Sequence, residues 1–462
     1  MHMIIKQAQD GALISHNRER SISGMTSNAS TIAEQDARAL HDDGVPLEPD
    51  EISIGVIIGR TSEFFDFFVY AIASVLVFPN LVFSFTDPLR GTLYSFGIFA
   101  LAFIARPFGT AIFTLVDKNY GRGAKLTSAL FLLGISTAAL AFIPTYEQVG
   151  GFAIVFLAML RIGQGLALGG TWDGLASLLA MNAPKRRQGW YAMIPQLGAP
   201  LGLIVASGLF VFLVSSLSAR DFLDFGWRYP FFVAFAINVV ALFARLRIIA
   251  TPEYERQFTN LELTPVRASE TLVSERRNLL LGAFTPLASF ALFHMVTVFP
   301  LSWVFLYTDE SPARFLTIEI LGAIVGLIAV MVSGIIADRI GRLRLLSRCS
   351  IAIGVFALFA PLLLNGGTIG QIIYMVTGFA ILGLSFGQSS GAVAARFSKK
   401  YRYTGSALTS DIAWLIGAGF APVVALLLSS TLGLWSGGAY LLSGAVCTFI
   451  ALRVTKHLDF EG

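Results

Sequence analysis

From Ile52 onward the chain is a succession of about twelve apolar stretches, each about 20 residues long, separated by short polar hinges. A stretch of that length crosses the hydrocarbon core of a bilayer as a helix, at about 1.5 Å per residue. The stretches run over 52–78, 91–116, 124–143, 151–180, 190–217 and 228–249, then 279–307, 315–337, 344–364, 369–397, 403–430 and 434–454. One long polar connection, 250–278, divides them into two sets of six. The expected fold is an all-α polytopic membrane protein, with twelve transmembrane helices in two six-helix bundles. The bundles are expected over 51–249 and 279–455, joined by a cytoplasmic loop at 250–278 and flanked by cytoplasmic tails at 1–50 and 456–462. The first tail is polar and mixed in charge, too poor in apolar surface to fold alone, so disorder is expected there.

Composition excludes most alternatives. Hydrophobic residues make up 55% of the 462 and charged residues 13%, about half the charged share of a soluble protein. A net charge of +4 would suggest nucleic acid in a soluble chain, but here the basic residues fall in alternate connections. One set holds Lys118, Arg122, Lys125, Lys185, Arg186, Arg187, the arginines of 245–277, those of 339–348, and Arg396, Lys399, Lys400 and Arg402; the other holds Arg90, Arg220 and Arg314. This asymmetry predicts that both termini and the central loop are cytoplasmic. No nucleic-acid partner is expected, only the lipid bilayer. Cys349 and Cys447 lie in or beside apolar segments and imply no disulfide framework. No metal-ligand spacing, nucleotide loop or nucleophile motif is present, so no cofactor, metal or enzymatic activity is expected.

One motif occurs twice, nearly half a chain apart. GIIADRIGRLR at 334–344 carries Asp338, Arg339, Gly341 and Arg342; FTLVDKNYGRGAK at 113–125 carries Asp117, Lys118, Gly121, Arg122 and Lys125, with one extra residue between Asp117 and Arg122. Each copy ends one apolar segment and begins another, as a duplicated transporter bundle would. Their charges are candidate gates, able to hold helix ends together in one state and release them in another.

Several charges lie where a bilayer makes them costly, at least ~2.5–3.5 kcal/mol each at a helix centre. In GRTSEFFDFFVYAI, Arg60, Glu63 and Asp66 are three apart and share a helix face with Tyr70. They read either as a proton or substrate site on a central cavity, or as a structural network in which Arg60 neutralises Glu63. Arg106 stands beside Pro107, which is expected to bend its helix. RIGQGLALGGTWDG places Arg161 and Gln164 three apart, Gly165, Gly169 and Gly170 where helices can approach closely, and Asp173 near the cytoplasmic end. Arg161 reads equally as positioning backbone or binding substrate, and Asp173 as a gate partner or a proton carrier. Pro195 and Pro200 imply a bent fifth helix, with Gln196 as a buried amide. Asp411 is an isolated carboxylate of the second half. His294 could titrate near neutral pH, though a satisfied interhelical hydrogen bond is the more ordinary role.

EFFDFFVY, RIGQGLALGG, RRQGWYAMIPQLGAPLGL, FGWRYPFF and RYTGSAL, in this order, are similar to the metabolite–proton symporter branch of the major facilitator superfamily, over nearly all of 52–455. The resemblance implies proton-coupled symport of a small metabolite, acting as a monomer in a bacterial cytoplasmic membrane. It further implies Glu63 and Asp66 as proton-linked carboxylates, and Arg122, Arg228 and Arg106 as functionally sensitive cations. The chain departs from the branch at Arg60 and at Asp411, where Asn is usual, and at Thr171, where the helix 4 motif usually has Glu. An intramembrane arginine recognises a carboxylate with paired hydrogen bonds. The expected cargo is therefore a small organic anion, bound by Arg60, Arg106, Arg161, Gln164, Gln196 and Arg228. A zwitterionic osmolyte, export, or ligand sensing without transport are the alternatives.

Overall fold

The computed structural model describes residues 49–171, 179, 183, 184, 186–249, 264–389, 397, 398 and 400–461. Among them the regular structure is helical throughout. Helix α1 is Pro49–Leu76. Pro88–Leu140 is one hydrogen-bonded run that holds two spans, α2 (88–120) and α3 (122–140), hinged at Gly121. Then come α4, Phe152–Gly170, α5, Gln188–Ser216, and α6, Tyr229–Ile249. The second half holds α7, Leu287–Tyr307, α8, Pro312–Ile340, α9, Arg342–Leu364, α10, Gly367–Phe386, α11, Arg402–Leu432, and α12, Trp435–Glu461. Ten described runs are long and apolar enough to cross a membrane, the fused α2–α3 counting once. The charge-bearing α1 is not among them.

The duplication extends to local chemistry. Helix α2 starts with Asp87 accepting from the Arg90 amide and Pro88 in the first turn; α8 starts with Ser311 accepting from the Arg314 amide and Pro312 in the first turn. Both are sound helix starts, since a cap oxygen satisfies an orphan donor and proline has none to lose. Both helices also end alike. Gly121 has φ 83° and ψ 173°, and Gly341 φ 88° and ψ 144°. These are conformations that L side chains rarely adopt, so each copy of the motif needs its glycine to turn the chain sharply into the next helix.

Three helices are broken where the halves meet. Helix α5 passes through a 3-10 turn at Ile194–Leu197, containing the expected Pro195. Helix α7 is interrupted at Val298, before Pro300, and α11 contains a π turn at Leu415–Gly419. Pro107, by contrast, leaves the backbone of α2 helical. The glycines of α4 bring it against α2 backbone to backbone: a Cβ at Gly165 would stand 2.4 Å from the Ala102 carbonyl oxygen, and one at Gly169 2.3 Å from that of Arg106. The centre is aromatic. Phe293 of α7 stacks on Phe68 of α1 with ring centroids 5.6 Å apart, and Trp414 of α11 lies 5.3 Å from Phe293.

Candidate transport site

Helix α1 carries Glu63 and Asp66 into different surroundings. Glu63 sits between two guanidiniums, with Arg60 Nη1 at 2.5 Å and Arg245 Nη2 at 2.6 Å. Arg245 comes from α6 and is buried. Gly59 makes room for it, since a Cβ there would lie 2.2 Å from Arg245 Nε.

Asp66, one turn on, meets no cation within ion-pair distance among the described residues. Its Oδ2 accepts from Asn238 Nδ2 of α6 at 2.6 Å and from Thr137 Oγ1 of α3 at 3.4 Å, while Oδ1 has no hydrogen-bond partner. Asn238 in turn accepts from Ser62 Oγ at 2.7 Å. Thr137 accepts from Gln164 Nε2 at 2.9 Å, and Gln164 Oε1 from Arg161 Nη1 at 3.0 Å. Arg161 is itself buried, donates from Nε to the Phe99 carbonyl at 3.2 Å, and lies over the Tyr70 ring, 4.0 Å from its centroid. No carboxylate is within ion-pair distance of it among the described residues. A buried guanidinium and a buried carboxyl thus share one hydrogen-bonded chain without touching. Burying a charge in this way is costly.

The second half contributes Asp411. The isolated carboxylate expected from the sequence is not isolated: Oδ1 pairs with Arg106 Nε at 2.8 Å, and Oδ2 accepts from Thr110 Oγ1 at 2.5 Å. Both partners are on α2, so the contact joins the two halves. A cavity of about 40 Å³ is lined by Arg60, Glu63, Arg106, Arg161, Phe103 and Trp414 among others. It has room for a water molecule or two, so a metabolite needs the helices further apart.

Two residues expected here lie elsewhere. Gln196 is buried in the turn of α5 with Oε1 unpartnered, outside the cavity lining. Arg228 is in the 3-10 turn just before α6, where it donates to the Ala141 carbonyl beyond α3 and lies over Trp227; it ties helix ends together at the face away from the loop motifs. His294 is fully buried among Phe67, Phe99, Phe103 and Phe293, with neither ring nitrogen hydrogen-bonded. The interhelical hydrogen bond expected of it is not formed, because aromatic rings surround it. Asp173 lies outside the described residues. Arg245, Asn238 and Thr137 were not singled out from the sequence. Arg245 had a signal, since it stands inside the apolar run of α6 although it was counted with the loop cations; a lone Asn or Thr in an apolar helix has none.

The loop motifs form contacts across the halves. Two amides in the first turn of α5, Gly189 N and Trp190 N, donate to Asp338 Oδ1 at 2.6 Å and Oδ2 at 3.2 Å. Arg342 Nη2 donates to the Gln188 carbonyl at 3.3 Å, and Arg342 Nε to Gln388 Oε1 at 3.3 Å. Gln388 Nε2 completes the set by donating to the Gly189 carbonyl at 3.0 Å. In the first motif Asp117 faces Lys125 Nζ at 3.5 Å and Arg122 Nε at 4.0 Å. Lys125 Nζ reaches the other half by donating to Tyr403 Oη of α11 at 2.9 Å. Arg339 is exposed.

Helices latched at one face around a charged centre define a membrane transporter built from two repeats. Residues 61–422 match the Major Facilitator Superfamily profile, and the chain belongs to that superfamily. It is 35% identical to the inner membrane metabolite transport protein YhjE of Escherichia coli K12, over 88% of this chain and 94% of the relative. The E. coli K12 shikimate transporter is 27% identical over 87% of this chain and 94% of its own length. The E. coli K12 proline/betaine transporter is 27% identical over 88% and 83% respectively. A D-xylose–proton symporter superposes with a TM-score of 0.68 at 15% identity, over 87% of this chain and 96% of that one, which supports the fold.

Proposed function

We propose that the protein imports a small organic anion together with a proton, as a monomer in a bacterial cytoplasmic membrane, with the loop-motif face and both termini cytoplasmic. The observation that carries this reading is the charge of the centre. Among the described residues, Arg60, Arg106, Arg161 and Arg245 meet two ion-paired acids, Glu63 and Asp411, and one carboxyl, Asp66, with no cation within ion-pair distance. With a proton on Asp66 the centre holds surplus positive charge beside the cavity, which favours an anion. Loss of that proton adds a negative charge that competes with the cargo. Proton and anion therefore raise one another's affinity, as symport requires.

In this scheme Asp66 carries the proton. Glu63, clamped by Arg60 and Arg245, keeps those guanidiniums in place, while Arg106 and Arg161 present their charge to the cavity. Alternating access brings the site to each face in turn. A second reading keeps the proton and changes the cargo to a zwitterion. Phe103 and Trp414 line the same cavity and would suit a quaternary ammonium group, and a proline/betaine transporter is among the relatives.

Proteoliposomes with a trapped pH dye, offered mono-, di- and tricarboxylates beside proline and betaine, test both readings. Lumen acidification with a carboxylate supports the first, and acidification with betaine or proline alone supports the second. Asp66→Asn should retain exchange and lose accumulation driven by a proton gradient; full accumulation in that variant would sink the proton role.

A further inference from the structure

We infer that Glu319 is a second proton-binding site, in the seam between α5 and α8, and that its protonation holds the face opposite the loop motifs shut. The inference rests on the transport reading only for its sidedness, which makes that face periplasmic. Glu319 lies seven residues beyond Pro312, about 10 Å along α8, at the end away from the motifs. It is fully buried. Its Oε2 accepts from Ser207 Oγ of α5 at 3.3 Å, and its Oε1 has no hydrogen-bond partner. Since α5 belongs to the first half and α8 to the second, this contact joins the halves.

Beyond that one hydrogen bond, the described surroundings hold no charge to stabilise a carboxylate. Helix α5 carries no ionisable side chain over Gly198–Ser216. Helix α10 offers Tyr374, whose hydroxyl donates to the Met295 carbonyl, and Gln371, whose Oε1 is also without a partner. Helix α7 contributes His294 and Tyr307, α9 has its basic residues at the far end, and Arg314 of α8 itself donates to Thr368. No cation is within ion-pair distance of Glu319 among the described residues. Toward the motif face the same seam holds a cavity of about 20 Å³ lined almost wholly by apolar residues, Leu203, Gly326 and Phe379 among them.

An ionised carboxylate with one long hydrogen bond in a dry seam is costly, whereas the neutral acid escapes that cost. Opening the seam lets water solvate the carboxylate. Proton binding and closure are thus linked: low pH on that side favours the closed seam and high pH the open one. Asp66 is not involved, as it lies on α1 with partners from α3 and α6.

The test uses the full chain with Cys349→Ser and Cys447→Ser, spin labels at Ser215→Cys and Thr317→Cys, and nanodiscs without added substrate. The distance between labels is expected to lengthen as pH rises. Glu319→Gln, permanently neutral, is expected to stay at the short distance throughout, while Asp66→Asn still responds. The infrared band of a protonated carboxyl is expected to weaken in Glu319→Gln. A parent protein that does not move with pH overturns the inference, as does a Glu319→Gln variant that moves as the parent does. Loss of the response in Asp66→Asn but not in Glu319→Gln would assign it to the α1 cluster instead. Should Glu319→Gln fail to fold, Ser207→Ala is expected to open at lower pH than the parent, and an unshifted response would overturn the inference.

Discussion

The two copies of the loop motif share a backbone and differ in what their acids do. Gly121 and Gly341 turn the chain alike, with φ 83° and 88°. Asp338 crosses to the other half and caps α5, whose own N-cap residue, Arg187, supplies no side-chain bond. Helix starts leave amides unsatisfied and carry partial positive charge, so a carboxylate there is doubly favoured. Asp117 stays within its own loop, bonded to Lys125 and near Arg122, and among the described contacts is linked to α11 through Lys125 and Tyr403. The extra residue before Arg122 accompanies this change of register. Duplication conserved the hinge, which is a property of the backbone, whereas each latch depends on which half-surface it meets. Among the described contacts, the second motif is therefore the one whose acid joins the halves directly.

This difference can be broken most directly at Asp338. Asp338→Ala removes the acceptor of two charge-assisted bonds, each worth about 1.5–3 kcal/mol. A net loss of about 3 kcal/mol would shift the closed-to-open balance by roughly a hundredfold. Labelling of cysteines introduced along α5 and α11 near the motif face should rise accordingly, and uptake should fall at least tenfold. Unchanged labelling would show that the cap is not a latch. The glycines should respond equally. Gly121→Ala and Gly341→Ala each place a side chain at a strongly disfavoured backbone, at about 1–3 kcal/mol. Thermal unfolding in detergent should shift by a similar amount in both, and a large inequality would mean the two hinges are not equivalent.

Much of the fold was legible because its signals are periodic or local: the apolar runs, the motif glycines, and Gly165 and Gly169 where α4 meets α2. The centre was half legible. Arg60, Glu63 and Asp66 announce themselves as charges on one face of an apolar helix. Their different fates do not, because the deciding partners are remote: Arg245 lies 182 residues from Glu63 and Asn238 172 from Asp66. Asp411 looked isolated for the same reason, its cation being on α2. Glu319 escaped notice because a single acid in a long apolar run has no neighbour in sequence to mark it.

The first motif's weaker reach gives a smaller expectation. Tyr403→Phe deletes the acceptor of the Lys125 bond and leaves the ring, over which Lys125 also lies at 5.2 Å. About 1 kcal/mol is at stake, so accessibility at the motif face should rise about fivefold, well short of Asp338→Ala. Equal effects would erase the asymmetry between the motifs.

The smallest effect should come from the pair beside that contact. Lys400 Nζ donates to Glu270 Oε1 at 2.6 Å, and Tyr401 Oη donates to the same oxygen at 3.0 Å. These bonds, that from Lys400 foremost, hold the Glu270 carboxyl below its usual range. A group lowered in this way contributes stability that is present above its unfolded value and lost as pH falls through the folded one. The contribution at neutral pH is therefore complete, and any loss belongs to the acid range below about pH 4.5. Glu270 and Lys400 are exposed, however, and such pairs are screened by water and salt. Glu270→Gln should leave thermal stability at pH 7 nearly unchanged and flatten only the acid limb of the profile. A marked loss of latch strength at pH 7 would instead place this pair in the first motif's lock, and narrow the difference between the two halves.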